Sequence, residues 1–502
     1  MPRFLIASSV CAALISGAAV VGVATQAGRP QFSQAFTREE FAGRRARIAE
    51  TIGPRAVALV QGAPSVHSSA VFRQSNEFFY VTGVTVPQSY LLIDGASKQS
   101  TLYLPPRDER RASTEGDLLT ADDAAAVVAL TGIEQVHPLG QLAQDVKGMS
   151  PAPAAIYTPF QPAEGDAESR DGARRKNADA AADPWDGRQP REERFIELIK
   201  SRVPGAEVKD LSPALDAMRA LKSSQELAVI ERATKIGGDA IVEAMRSTQP
   251  GVREAELDAL ARFIYVRNGA QGEAYRAIVA SGPSAMNQHH RASERVLPAG
   301  ELVVMDYCPD VSYYRCDVTR TWPVDGKFKG WQRELYGFYN ASYEAILYGI
   351  KPNVTAKSVL EGAIVKMDAL LGSTKFSKPE YRKAAEAFVD QFRRSLASPR
   401  GGSLGHAVGM STHDMGGGTG TLTPGLVFTI EPALRVPEEN VYIRSEDMIV
   451  ITPTAARILS DWVPRDMSAI EKVMAEPGLL QRYPGGTTAT AMKSAPDARI
   501  RP

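Results

Sequence analysis

Two acidic residues, Asp306 in LVVMDYC and Asp317 in YRCDVTRTWPV, sit at the ends of apolar stretches of strand-like composition. The few residues between those stretches allow a hairpin, which would set the two carboxylates nearly opposite each other on one face. Paired carboxylates repel, and burying them uncompensated is costly. A divalent cation removes both objections. A pair of surface aspartates at a turn is the alternative that these two residues leave open. The pattern recurs downstream: Glu431 closes LVFTIEP, and Glu446 sits in YIRSEDMIV, which resumes an apolar strand. His406 lies in SLGHAVG, among glycines that let a backbone approach a site closely, and His413-Asp414 follows. Four carboxylates and one imidazole make an oxygen-rich donor set. It suits hard or borderline divalent ions such as Mn²⁺, and it has enough carboxylates to bridge two metals.

These residues need elements to position them. Residues 32–147 read as a mixed α/β unit. An opening helix spans about 36–51, with Thr37 as N-cap and Glu39 and Glu40 in its first turn. Short apolar runs at 56–60, 78–82, 90–94 and 101–104 read as strands separated by turn residues, and 122–130 as a helix. Residues 161–194 are rich in Ala, Asp, Glu, Arg and Gly, with Trp185 almost the only large apolar residue. They read as an exposed insertion or mobile loop. A second domain begins near Leu211. Ser223-Ser224-Gln225-Glu226 has the capping-box form and opens a helix that runs to about Ser247. A second helix, about 254–268, puts Leu257, Leu260, Ala261 and Ile264 on one face and stops at Gly269. Beta-like runs follow at 275–280, 302–307, 317–324, 427–430 and 448–452, with helical stretches at 331–348 and 378–395. The tail after about Ala475, with its Pro-Gly-Gly and Thr/Ala tract, reads as poorly packed.

The chain has 502 residues, 58 basic and 58 acidic, so its net charge of +0 argues against a broad nucleic-acid or anionic-membrane binder. Hydrophobic content of 44% is that of an ordinary globular protein, and three cysteines exclude a disulfide-stapled scaffold. Arg3, an apolar stretch from Phe4 to about Val23 and small residues up to Ala27 have the layout of a secretory signal peptide. The expected product is exported, periplasmic or secreted, with no stable membrane association after cleavage; an uncleaved membrane anchor is the alternative. If the two aspartates face each other across a hairpin, Cys308 and Cys316 also lie close, either as a disulfide or as two buried thiols. His67 and His137 have no comparable context and read as ordinary surface or structural residues.

The order Asp, Asp, His, Glu, Glu resembles the pita-bread metallopeptidases, within them the Xaa-Pro aminopeptidase (aminopeptidase P) and prolidase branch. The motifs that carry the likeness are VVMDYC, CDVTRTWPVDGKF, GHAVGMSTHD, LTPGLVFTIEP and YIRSEDMIVIT, together with FRQSNEFFYVTG at residues 72–83. The resemblance implies an α/β (α+β) architecture: a smaller mixed N-terminal domain, 32–205, and a pita-bread catalytic domain, 211–475. A signal peptide at 1–27 and a loose tail at 476–502 flank them. It implies Asp306, Asp317, His406, Glu431 and Glu446 as metal ligands for two divalent ions, most often Mn²⁺, with Zn²⁺ or Co²⁺ possible. Asp317 and Glu446 would bridge both ions, Asp306 would bind one, and His406 and Glu431 the other. SGPSAMNQHH places His289 at a substrate-binding histidine, His413 would be the second, and Arg444 matches a basic position beside the site. Departures at Tyr307-Cys308, His290 and Ala433-Leu434 touch neither ligands nor histidines and bear on pocket shape.

By that resemblance the activity is hydrolysis of the bond between an N-terminal residue and a penultimate proline, by a hydroxide held between two metals. The partners are peptides with proline second, and a dimer or tetramer is implied. His289 or His413 would stabilise the oxyanion, and Glu431 would carry the proton to the departing proline nitrogen. The rival readings are a prolidase restricted to Xaa-Pro dipeptides, creatinase-like C–N hydrolysis, and a non-catalytic binding protein on the same fold. The complete ligand set weighs against the last two.

Overall fold

Apolar, β-branched runs between turn residues build the first domain's sheet in this computed structural model, which describes residues 31–66, 70–149, 152–165, 167–399 and 401–483. Its six strands lie in the order Gln135–Pro138, Ser100–Leu104, Tyr90–Asp94, Ala56–Gln61, Ala155–Thr158 and Glu207–Asp210. The central strands pair antiparallel, and both flanks are parallel. The opening helix is Arg38–Ile52, and the Thr37 side chain accepts from the Glu40 N–H. The expected strand at 78–82 is instead a helix, Asn76–Thr82, with all seven residues buried, closed by Gly83 in the left-handed conformation. A short, wholly buried apolar run has no exposed face, so its periodicity cannot tell helix from strand.

The second domain's helices match their sequence signals closely. Ser223 and Glu226 complete a reciprocal capping box on the helix Ser224–Ser247. Glu254–Arg267, Gly330–Leu347 and Pro379–Ala397 follow at the expected places. A further helix, Ala356–Ser373, lies where none was expected. Two of the domain's three three-stranded antiparallel sheets carry the site. One orders Thr319–Pro323, Leu302–Asp306 and Ile278–Ser281; the other orders Val427–Ile430, Asp447–Ile451 and Ala456–Ile458. They meet at a bridge between Thr319 and Glu446, whose backbones exchange hydrogen bonds of 3.0 and 3.3 Å. The helix Ser224–Ser247 packs closely beneath: a Cβ added at Gly237 would stand 3.0 and 3.1 Å from the sulfurs of Cys308 and Cys316.

Two further expectations are corrected. Residues 161–194 are not a loop throughout. Ser169 caps a helix, Arg170–Ala182, and Glu164, Arg170 and Ala173 are buried. Ala and Arg favour helix, and the buried charges are paired, which composition alone does not show. Trp185 is nonetheless 97% exposed. The tail also begins packed: the main chain of Leu479 donates to Glu243 and that of Leu480 to Ser247, tying the short helix Leu479–Arg482 to the long one. The supposed signal peptide, the rest of the tail and His67 lie outside the described residues. Among those described, no helix is long and apolar enough to cross a membrane.

Candidate metal centre and active site

Strand register brings the acidic residues together. Asp306 ends its strand opposite Thr319, so Asp317, two residues earlier, is close to it across the antiparallel pair. The residues between them fold into a separate small hairpin, Pro309–Val311 with Tyr314–Arg315. The hairpin read from sequence is therefore present, offset by two residues and with an extra tip. Glu431 directly follows Val427–Ile430, and Glu446 precedes Asp447–Ile451. His406 is drawn in by its own carbonyl, which accepts from the Thr429 N–H at 2.9 Å. Gly405 makes that approach possible, because a Cβ there would lie 1.8 Å from the Thr429 carbonyl oxygen.

The run Thr319-Arg320 has a structural reason. Thr319 Oγ1 donates to one oxygen of Glu446 at 2.7 Å, and Thr429 Oγ1 donates to the other at 2.8 Å. Arg320, fully buried, reaches the Glu446 carbonyl at 2.7 Å and pairs with Asp447 at 2.6 Å. The Glu446 carboxylate is thereby fixed in orientation from behind.

Asp317, His406 and Glu446 each offer a ligand atom within 4.8 Å of the others. His406 Nε2 stands 3.4 Å from Glu431, 3.7 Å from Asp317 and 3.9 Å from Glu446. Two ligand atoms each about 2.1 Å from one ion stand about 3–4 Å apart, so these spacings fit a shared cation. The electrostatics agree. Burial, then Glu431 and Asp306, push Glu446 up to about 8. Burial, Glu446 and Asp306 hold Asp317 well above the usual carboxylate range. Two buried carboxylates that resist ionisation on their own call for positive charge. Glu431 differs: despite burial, its bond to His406 and the charge of Arg444 draw it down to about 2. Burial opposes charge on His406, but Glu431 and Glu446 outweigh it and raise its pKa.

Three residues assigned to substrate by resemblance fare differently. The His413 ring stacks on His406, and burial and His406 lower its pKa to about 4. His289 is exposed, within electrostatic range of His413 and Glu168. Arg444 is 2% exposed, and its guanidinium bonds Glu431 at 3.0 Å and also Asp306. It spans these two carboxylates from within the protein. His290, next to His289, turns away to Glu254 at 2.9 Å. Cys308 and Cys316 are buried thiols in mutual contact, Sγ to Sγ 2.7 Å.

Sequence reasoning missed Tyr275. Its hydroxyl lies 2.6 Å from both Asp306 Oδ1 and Asp317 Oδ1. A phenol has one proton to give, so the hydroxyl is shared between the two carboxylates and ties them together. Tyr275 began an expected strand run, but nothing in its spacing marks it.

The N-terminal domain is wired to the loop that carries His413. Asn76 Nδ2 donates to Ser411 Oγ at 3.1 Å and to Glu164 at 3.1 Å. Arg219 pairs with Glu77 at 3.0 Å, Glu164 at 3.0 Å and Asp414 at 2.6 Å, and Arg170 reaches Glu77 at 3.1 Å and Asp216 at 2.6 Å. Lys222 completes the cluster, 3.4 Å from Asp414. Part of the motif at 72–83 is thus the docking face for the catalytic loop.

The chain is similar to known proteins along most of its length. Residues 228–453 match the model of metallopeptidase family M24, and residues 41–157 match the aminopeptidase P N-terminal domain. Xaa-Pro aminopeptidase of Escherichia coli (strain K12) is 28% identical over 465 residues, covering 88% of this chain and 98% of that protein. Xaa-Pro aminopeptidase 3 of Mus musculus is 28% identical over 423 residues, covering 80% and 76%. The solved structure of aminopeptidase P from E. coli with the inhibitor Pro-Leu superposes with a TM-score of 0.70 at 26% identity, covering 88% of this chain and 98% of that one.

Proposed function

The chain belongs to the M24 metallopeptidases, in their aminopeptidase P branch, and on that premise we propose that it releases the N-terminal residue from peptides whose second residue is proline. The observation that carries the reading is the group of buried carboxylates around His406, with His413 stacked beside it. In this reading Asp306, Asp317, His406, Glu431 and Glu446 would together hold two divalent ions. Divalent ions held there, Mn²⁺ in our reading, supply Lewis acidity and an activated water.

The chain's own residues do the rest. The Glu431 side chain is 26% exposed, whereas Asp306 is 8%, Asp317 7% and Glu446 1%. Glu431 is the most exposed of the four, and in this reading it carries the proton to the departing proline nitrogen. A low His413 pKa keeps that imidazole uncharged at neutral pH, able to donate one N–H to the developing oxyanion. His289 supplies a second polar contact to the peptide. Arg444 and Tyr275 orient the ligand carboxylates from outside. An Xaa-Pro bond is a tertiary amide without N–H, so the site needs no acceptor for that hydrogen.

Product analysis on an Xaa-Pro tripeptide and on the matching Xaa-Pro dipeptide tests the proposal. Release of the first residue from the tripeptide supports it; cleavage of the dipeptide alone would assign a prolidase. We also read residues 1–27 as an export signal. N-terminal sequencing of the protein recovered outside the cytoplasm should start after Ala24 or Ala27, and an intact start would refute it.

A further inference from the structure

Residues 158–227 lie between the two family matches, yet part of this stretch reaches His413. The His413 ring is exposed, so enclosing side chains do not fix it, and its aim depends on the main chain that carries it. Its neighbours in the loop are held by side chains: Asn76 donates to Ser411 Oγ at 3.1 Å, Arg315 donates to Thr412 Oγ1 at 3.3 Å, and Arg219 pairs with Asp414 at 2.6 Å. The backbone of His413 is held by residues 168–169. Its N–H donates to the Glu168 carbonyl at 3.2 Å, and Ser169 forms a parallel bridge with it.

That short edge is anchored at both ends. Glu164 is buried and pairs with Arg219 at 3.0 Å. Arg170 is buried, and its guanidinium reaches both oxygens of Asp216 at 2.6 Å and Glu77 at 3.1 Å. Between these anchors Glu168 takes a φ of 62°, a left-handed conformation that a residue with a Cβ avoids unless its surroundings impose it. Arg170 and Arg219 share Glu77, so one charge network seats both the edge that receives His413 and the residue that follows it.

We propose that residues 164–172 are a positioning strap for His413, with Arg170 as the positioning residue that seats it. The inference rests on the aminopeptidase reading above, in which His413 donates to the oxyanion. That bond forms only as charge develops, so a displaced strap lowers kcat and leaves KM and bound metal alone.

The test is a double-mutant cycle in kcat on an Xaa-Pro tripeptide. Gly172 lies in the first turn of the helix Arg170–Ala182, and a Cβ there would stand 2.5 Å from the Ala167 carbonyl oxygen and 3.2 Å from Ser169 Oγ. Gly172→Ala therefore presses on the strap without altering a charge. Alanine is the better helix former, so a role confined to the helix predicts no loss. The strap predicts a fall in kcat of about 10- to 100-fold, with KM and metal content near the wild-type values. Arg170→Ala should lower kcat likewise and Arg170→Lys recover part of the loss; if Arg170→Ala does not fold, Gly172→Ala carries the test. In a His413→Ala background, Gly172→Ala should change kcat by less than about twofold, because the group the strap aims is gone. Deuterium exchange at the His413 amide should be at least about tenfold faster in Gly172→Ala. A full further loss in the His413→Ala background, a fall in metal content, a rise in KM with kcat unchanged, or an unchanged His413 amide would overturn the proposal. If the wild-type protein releases no residue from the tripeptide, the aminopeptidase reading fails, and amide exchange alone decides whether the strap holds His413.

Discussion

The imidazole of His413 lies flat on that of His406, centroids 3.8 Å apart and planes 7° from parallel. Two stacked imidazoles so close cannot both carry charge cheaply, so His413 stays neutral while His406 faces the carboxylates. The two residues should separate by function. His406→Ala should lose bound metal and turnover together, as should Asp317→Asn even with metal supplied. His413→Ala should keep its metal and lose about 10²–10³ in kcat. Elemental analysis beside steady-state rates distinguishes them; loss of metal from His413→Ala would make it a structural prop.

Arg444 spans Asp306 and Glu431 from a fully enclosed position. Removing it leaves two carboxylates without their orienting partner. Arg444→Ala should weaken metal binding about 10- to 100-fold, and Arg444→Lys should rescue little, since an ammonium cannot serve both carboxylates as the planar fork does. Metal titration of chelator-stripped protein reads this directly, and an unchanged affinity would assign Arg444 to the substrate side.

Gly405 stands against the strand that receives His406. A methyl there would lie 1.8 Å from the Thr429 carbonyl oxygen, so Gly405→Ala must push the histidine loop outward. Overpacking of this kind costs about 1–3 kcal/mol. Thermal unfolding should show that loss together with reduced metal content; an unperturbed variant would mean the loop yields freely.

Buried Glu77, Glu164 and Asp414, with half-buried Asp216 at the edge, are paired with Arg170, Arg219 and Lys222. Burial and Glu164 raise Glu77 from 4.5 to about 7, against the pull of Arg219 and Arg170. The native state therefore holds a proton that the unfolded chain releases near 4.5. The stability this contributes, roughly 3 kcal/mol at most, is complete below that pH. It is lost as pH rises to about 7. Glu77→Gln should flatten this slope and raise the melting temperature at pH 8. A variant that melts lower at every pH would show that Arg170 and Arg219 need the charge.

Much of the site was legible because its residue types are out of place. Asp306, Asp317 and Glu446 are charged residues bounding apolar strands, where only a partner makes burial tolerable. Gly405 and the capping box at Ser223 are equally local signals. Tyr275 and Arg444 were not legible in these roles, since each acts across a tertiary contact that no spacing encodes. The helix Asn76–Thr82 misled as a strand because it is buried on every side. The segment 161–194 misled because its charges, read singly, suggest solvent, whereas Glu164 and Arg170 neutralise one another's neighbours in the interior.

Metal-dependent turnover is the property on which the proposed activity depends. The direct measurement is release of the first residue from an Xaa-Pro tripeptide, and from the matching dipeptide, by protein stripped with a chelator and then supplied with Mn²⁺. The account predicts no turnover when stripped, and recovery on the tripeptide when Mn²⁺ returns. Turnover that survives complete removal of metal, or none on the tripeptide after reloading, would contradict it.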